Sequence, residues 1–459
     1  MSAARKNKGW SVALGGLGIN LALGILYTWS IFKVAIKDSI VSRDLIFTWS
    51  LPSVNDPYIV CCLVFAVTMI LAGKLQDKYG PRNTAFIGGL LVGLGFIWIS
   101  QTTNYVCWVL GFGVLVGAGI GFGYASATPP ALKWFPKAKT GLIAGVVISG
   151  FGLAPVYAAP LTTYLLGIWG LQKTMLFYGV AFTLFVCGLA FSLVNPPPNY
   201  VPESGNESVS SAGSGLETGP GPADILKSKS FYILWFTYFI SAGTGLMVIG
   251  AVAGMAKQSL GPLAFLAVAI MAVGNAAGRI VAGSVSDRIG RQLTLVILLF
   301  FQAVLMFTAV PTLRSGTGPA TMVLLATLIG FNYGANLAIF PAFARDLWGL
   351  KNFGANYGIL FTAWGVGGLV LGRLSQMLEA MSGSFDYSFM TATAILVVAA
   401  GLNLITLKSS EEPGLNYNKA RKISRLSWLK AAPSLVPKTL HRRVSKNRRT
   451  NNSTPGKHY

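Results

Sequence analysis

The chain has 459 residues, of which 53% are hydrophobic and only 11% charged, with a mean hydropathy of +0.59. Soluble globular proteins carry about 25% charged residues, so this composition excludes a water-soluble fold and requires lipid to cover apolar surface. The 36 basic and 14 acidic residues give a formal net charge of +22, but residues 408–459 hold 13 of those bases and only two acids, Glu411 and Glu412, so half of the excess belongs to a tail.

A helix needs about 20 apolar residues to span a bilayer. Such stretches fall at 11–33, 57–73, 84–100, 106–127, 141–164 and 174–194, and again at 231–256, 262–283, 293–311, 319–342, 355–378 and 387–407. The pattern predicts an all-α integral membrane protein with twelve transmembrane helices in two six-helix bundles, 1–194 and 231–407. Residues 195–230 between them are polar and rich in Pro, Gly and Ser, and read as a cytoplasmic linker. Residues 408–459 read as a basic cytoplasmic tail beside anionic lipid. Within it, 419–432 sets Ile423, Leu426 and Leu429 at helical spacing among basic residues, so an interfacial helix and a disordered tail both remain open.

Orientation follows from Lys and Arg. With the N-terminus inside, the inner segments hold Arg5, Lys6, Lys8, Lys74, Lys78, Arg82, Lys133, Lys137, Lys139, Lys227, Lys229, Arg288, Arg291, Arg345 and Lys351. The outer loops hold only Lys37, Arg43, Lys173, Lys257 and Arg314, with Lys33 near the outer end of the first helix. Both termini are therefore expected in the cytoplasm, and the protein in the cell membrane. The first apolar run is too long for a signal peptide and lacks a cleavage site. Asn206, Asn451 and Asn452 start N-x-[ST] triplets in inner segments, so no glycan is expected on them. Cys61, Cys62, Cys107 and Cys187 lie in apolar stretches and read as small buried hydrophobes.

Two loops match across the halves. "GKLQDKYGPR" (73–82) and "GSVSDRIGRQ" (283–292) share the pattern G-x-x-x-D-[KR]-x-G, with Asp77 and Asp287 lying 210 residues apart and Arg82 and Arg291 close behind. Gly73 and Gly283 permit close helix approach. The aspartates can accept bonds from a neighbouring helix N-terminus or pair with an arginine. The pair predicts a latch between the inner ends of helices.

Arg279 lies in the eighth apolar stretch, where a charge costs roughly 2.5–3.5 kcal/mol or more at the bilayer centre. It precedes Gly283, the expected start of the inner loop, by four residues, which is roughly 6 Å of helix. Two readings follow: the side chain snorkels to the interface, or it faces a water-filled cavity and holds an anion. Arginine suits a carboxylate, because its fork donates two parallel bonds and stays protonated. Asn275, one turn away, shares its face. Tyr357, Phe361 and Trp364 also share a face and form either a site wall or a packing stripe. Asn332 and Asn336, with Tyr333 beside them, either line the site or bond a neighbouring helix. Arg373 lies nine residues beyond Trp364, about 13 Å outward and half a turn out of phase. Arg373 and Lys33 thus read as vestibule or snorkelling residues. None of the acids lies near the midplane of an apolar stretch, and His441 and His458 are both in the tail.

The repeated loop motif resembles that of the major facilitator superfamily. More narrowly, "GILYTWSIF" (24–32), "GIGFGYASATPPALKWFPKAKTGLIAGVVISGFGLAP" (119–155), "GNAAGRIVAGSVSDRIGR" (274–291) and "NYGILFTAWG" (356–365) resemble the oxalate:formate antiporter family. That family includes bacterial carriers similar to monocarboxylate (lactate, pyruvate) transporters. The resemblance implies two bundles rocking about a central site, a functional monomer and no cofactor. It also implies that Arg279 binds substrate carboxylate, with Tyr27 and Tyr124 as further site residues. Oxalate carriers resemble "TAKG" where this chain reads "TAWG", so Trp364 stands in place of a lysine. One cation with an aromatic wall suits a monoanion. The expectation is a secondary carrier of small monocarboxylates, with a proton travelling on the substrate or through a boundary group.

The alternatives are an oxalate/formate-type antiporter and, in another class, a membrane-embedded sensor or scaffold acting through the basic tail. Gly141, Gly145, Gly150 and Gly152 give the fifth helix a smooth face, and Pro155 allows a kink. The sequence carries no metal-ligand spacing, HExxH, G-x-S-x-G or phosphate loop in a suitable context, so neither an enzyme nor a nucleic-acid partner is expected. Deleting residues 410–459 separates two of these readings. Transport in reconstituted vesicles persists if the protein is a carrier, and all function is lost if the tail is its business.

Overall fold

In the computed structural model every regular element among the described residues is helical. Those residues are 8–197, 200, 202, 219–260, 264–314 and 318–409. The 419–432 segment, the two histidines, the three N-x-[ST] triplets and most of the linker lie outside them.

Helix α1 (Gly9–Leu23) passes through a 3₁₀ turn, Gly24–Thr28, into α2 (Trp29–Ser42). Next come α3 (Asp56–Tyr79) and α4 (Pro81–Ser100). Helix α5 (Tyr105–Trp108) runs through a π-helical stretch, Val109–Val116, into α6 (Gly117–Trp134). The Asn104 side chain caps α5, accepting from the Val106 and Cys107 N–H groups at 2.9 and 3.3 Å. Helix α7 (Thr140–Ala190) holds Pro155 and Pro160, yet its one non-helical residue is Gly170. The expected stretches 141–164 and 174–194 are thus two helices that meet at a kink at Gly170, and Pro155 lies within the first without leaving helical geometry. After the short α8 (Pro222–Ile225) follow α9 (Lys229–Leu260), α10 (Ala264–Ile289) and α11 (Arg291–Arg314). The series ends with α12 (Pro319–Trp348), α13 (Phe353–Ser382) and α14 (Asp386–Ser409).

Among the described residues, ten helical stretches are long and apolar enough to cross a membrane, the longest being Lys137–Ala190. Leu94, Leu184, Phe307 and Val398 lie exposed on such stretches, as lipid-facing side chains do. Residues 1–403 form one compact unit, and the second unit, 404–459, is described only over the end of α14.

The two repeated motifs are not loops. Helix α3 continues to Tyr79 and α10 to Ile289, and each then turns on one glycine, Gly80 at φ 88° and Gly290 at φ 96°. Only glycine adopts that backbone at little cost. Arg279 is therefore ten residues from the end of α10 rather than four from a loop, which is about 15 Å along the axis.

Helix α10 is held tightly between α7 and α12. Glycines make that possible. A Cβ on Gly145 would strike the Arg279 carbonyl, and one on Gly152 would lie 2.6 Å from Asn275 Oδ1. On α12, a Cβ on Gly330 would lie 2.7 Å from the Met271 carbonyl, and one on Gly334 would strike that of Asn275. Gly150 instead faces the Leu17 carbonyl of α1, so the smooth face is shared between two neighbours. The cysteines are all free, with Cys61 and Cys187 buried.

Overpacking a tight crossing costs about 1–3 kcal/mol. Gly145→Ala should therefore lower the thermal unfolding midpoint in detergent. Gly188→Ala, whose Cβ meets nothing within 4 Å, should leave it unchanged or raise it.

Candidate functional site

Arg279 is 0% exposed. Its Nε donates to Asn275 Oδ1 at 2.9 Å, and its Nη1 donates to the Ile148 carbonyl of α7. Among the described residues its Nη2 makes no hydrogen bond of ordinary length and angle, although the Tyr27 hydroxyl lies near the guanidinium, and no carboxylate pairs with it. The side chain is turned into the helix packing rather than out to an interface. A buried charge normally carries a partner, so one arm of this fork is left free to take an anion.

An aromatic cluster, here called the cage, adjoins it, with its rings packed directly against one another. Tyr27 sits in the 3₁₀ turn that interrupts the first span, and its hydroxyl meets that of Tyr333 at 3.0 Å. Trp364 Nε1 donates to the same Tyr333 oxygen at 2.8 Å. Phe361 stacks on Trp364 with ring centroids 5.1 Å apart. Phe361 also meets Phe65 of α3 at 5.1 Å and Tyr124 of α6 at 5.3 Å. Phe151 of α7 closes the ring, 5.0 Å from Tyr27 and 5.6 Å from Tyr124. Cage and arginine are adjacent because Phe151 precedes Gly152, whose Cβ position lies 3.2 Å from Arg279 Nε. Tyr333 likewise precedes Gly334, whose Cβ position lies 2.7 Å from Asn275 Oδ1.

The structure thus brings together Arg279, Asn275, Tyr27, Tyr124, Tyr333, Phe361 and Trp364. It places Asn332 elsewhere. The Nδ2 atoms of Asn332 and Asn336 both donate to Gln302 Oε1, at 3.0 and 3.1 Å. Gln302 Nε2 in turn donates to Thr244 Oγ1 at 2.9 Å and to the Ser241 carbonyl at 3.2 Å. This knot ties α9, α11 and α12 together, so Asn332 takes the helix-bonding role of its two readings. Arg373 is exposed and donates to Gln376 at 3.4 Å, so it supplies no second cation to the cage. Lys33 is half-buried on α2. Phe65, Phe151 and Tyr238 belong to the aromatic cluster and were not anticipated. Phe151 carried a signal, as the one bulky residue between Gly150 and Gly152. Phe65 carried none.

The motif aspartates form two latches. Asp77 accepts from the Gly354 and Ala355 N–H groups at 3.2 and 3.0 Å, in the first turn of α13. Asp287 accepts from the Gly141 and Leu142 N–H groups at 2.8 and 2.9 Å, in the first turn of α7. Each carboxylate thus serves orphan donors at a helix N-terminus contributed by the opposite half of the chain. Gly73 and Gly283 permit the approach, since a Cβ on either would strike the facing glycine, Gly354 or Gly141.

The latches differ. Arg291 pairs with Asp287 at 2.6 Å and with Asp346 at 3.0 Å, and Arg345 bonds Thr140 at 2.8 Å and the Phe135 carbonyl at 3.0 Å. Arg82 instead is exposed, donating to the Phe191 carbonyl at 3.1 Å and lying over that ring. It takes no part in the Asp77 latch. The extra Pro81 after Gly80 sets Arg82 one residue further from its aspartate than Arg291 is from Asp287.

A model of the Major Facilitator Superfamily matches residues 18–306 and 234–449. An uncharacterized MFS-type transporter, YhjX, of Escherichia coli is 29% identical over 367 residues, covering 78% of this chain and 86% of that protein. The oxalate:formate antiporter of Oxalobacter formigenes is 25% identical, covering 86% of this chain and 88% of its own. Monocarboxylate transporter 13 of Bos taurus is also 25% identical, covering 87% and 89%. The crystal structure of the E. coli fucose:proton symporter shares the fold, with a TM-score of 0.57 at 13% identity over 84% of this chain and 98% of that one.

A hydrogen bond to a charged group is worth about 1.5–3 kcal/mol, or roughly tenfold or more in an equilibrium. Asp287→Asn should therefore speed maleimide labelling of an Ile143→Cys reporter at the start of α7 by about tenfold or more. Asp77→Asn, which breaks no ion pair, should speed labelling of a matching reporter at the start of α13 by less.

Proposed function

The chain belongs to the Major Facilitator Superfamily, and we propose that it is a secondary carrier moving small monocarboxylate anions, lactate-like or pyruvate-like, across the cell membrane. The observation that carries this reading is the free Nη2 of Arg279, fully buried beside an aromatic wall that includes Trp364. A carboxylate would take that arm and compete with Ile148 for the other, giving the parallel two-bond fork that arginine favours. Trp364 spends its N–H on Tyr333 and packs against Phe361 and Phe65, so the apolar body of the substrate would meet its ring as these aromatic contacts part. A second carboxylate would find no second cation among the described cage residues.

The carrier crosses the membrane twelve times, with both termini in the cytoplasm, and works as a monomer without a cofactor. In that orientation Asp77 and Asp287 close the inner ends of the helices, and the anion reaches Arg279 from outside. Opening the latches while the outer ends close gives alternating access. The proton accompanies the substrate or a boundary group, since the described acids sit towards helix ends or between helices. Anion exchange is the second reading. It is favoured by the likeness to an oxalate:formate antiporter and opposed by Trp364 and the exposed Arg373. Anionic lipid would be the partner of the basic residues in 408–459.

The test is uptake of labelled L-lactate into proteoliposomes with an alkaline interior. Uptake is expected to exceed that of empty liposomes and to grow with the pH gradient. Arg279→Ala should abolish it, and Arg279→Lys, which keeps the charge and loses the fork, should lower it roughly 10- to 100-fold. No lactate uptake under any gradient would overturn the reading, and exchange by vesicles preloaded with oxalate or formate would replace it.

A further inference from the structure

The cage contains more polar groups than an aliphatic acid needs. Tyr357 lies one turn before Phe361 on α13, with ring centroids 5.9 Å apart. Tyr238 of α9 lies 6.2 Å from the same Phe361 and stacks on Phe340 at 3.9 Å. Tyr124 meets Phe361 from α6. Tyr238 is 0% and Tyr357 4% exposed, and neither hydroxyl makes a hydrogen bond of ordinary length and angle among the described residues, although both lie close enough to interact with each other and Tyr357 with Tyr124. Thr128 Oγ1, one turn beyond Tyr124 on α6, is likewise buried without one.

A buried hydroxyl left unpaired costs about 1–3 kcal/mol. A phenylalanine would fill the same space without that cost. Two such groups gathered around Phe361, near Tyr124 and an arginine with a free arm, have a use as a set. Tyr27, Tyr333 and Trp364, by contrast, already satisfy one another. The cage therefore has a well-paired side and a loosely paired side, where a ligand oxygen would complete the bonding of the tyrosine hydroxyls.

We propose that Tyr238 and Tyr357 form a specificity subsite that hydrogen-bonds a hydroxyl or carbonyl oxygen carried by the substrate in addition to its carboxylate. The inference rests on the carrier reading above and narrows it. Arg279 takes the carboxylate, Phe361 and Trp364 cover the carbon skeleton, and the tyrosine hydroxyls read the second oxygen. Hydroxy and oxo monocarboxylates are then accepted over the plain acids of the same length. A site built to bond a substrate hydroxyl rejects the analogue that lacks it far more strongly than an apolar pocket does.

The experiment compares matched acids in purified protein, by proteoliposome uptake and by quenching of tryptophan fluorescence in detergent. The acids are propionate, lactate and pyruvate, then butyrate, 3-hydroxybutyrate and acetoacetate. The expected result is a preference of tenfold or more for the oxygenated acids, which Tyr357→Phe and Tyr238→Phe each reduce severalfold. Binding with the same preference in both variants as in the wild type would overturn the subsite, because water or packing would then account for the hydroxyls. Equal handling of plain and oxygenated acids by the wild type would overturn it too, while leaving the arginine reading in place. Failure of every acid to bind or to be taken up would overturn both.

Discussion

Arg279 donates to Asn275 on its own helix and to the Ile148 carbonyl of α7, and much of the architecture serves that pair of bonds. A guanidinium stripped of water needs close partners, so α10 must lie almost in backbone contact with α7. That requires Gly145 and Gly152 on one helix and Gly278, packed against the Phe331 carbonyl, on the other face of α10. Because α7 and α10 come from opposite halves of the chain, the Ile148 bond also joins those halves. An anion that drew Nη1 away from that carbonyl would loosen the same seam, so in the proposed carrier binding and relative movement would share one hydrogen bond.

The sequence made some of this legible because the relevant relations are local. Asn275 and Arg279 stand one turn apart, so their pairing follows from helical geometry. The latch aspartates could be found because the motif occurs twice, 210 residues apart, and because a carboxylate just before a glycine turn has few possible partners. What was not legible depends on distant elements. Phe65 looks like any apolar residue until α3 meets α6 and α13. Asn332 could not be assigned until Gln302 arrived from α11 to accept from it. The depth of Arg279 was misjudged for another reason. The polar motif residues looked like a loop, whereas the bonds they make across the helix ends allow the helix to continue to Ile289.

The two halves also differ in regularity. The first span is interrupted by a 3₁₀ turn at Tyr27, and the fourth carries a π-helical stretch. Such segments mark places where a helix changes its hydrogen-bond register. The described C-terminal helices are instead tied by polar knots: Gln302 with Thr244, Asn332 and Asn336, and Asn403 with Thr237. In the first knot Gln302 is bonded through both its oxygen and its nitrogen, while Asn332 Oδ1 and Asn336 Oδ1 are buried without a partner among the described residues. Arg279 thus sits on a regular helix, and Tyr27, which meets Tyr333, in an irregular turn.

That asymmetry extends to the latches. The Asp77 carboxylate serves two backbone N–H groups and has no arginine, because the inserted proline carries Arg82 away to Phe191. The Asp287 carboxylate serves two such groups and also Arg291, which is shared with Asp346. Two contacts of unequal strength do not release together under a growing strain. In the proposed carrier the α3–α13 contact should yield before the α7–α10 contact. One inserted residue in a repeated motif would then give the opening of the two halves an order.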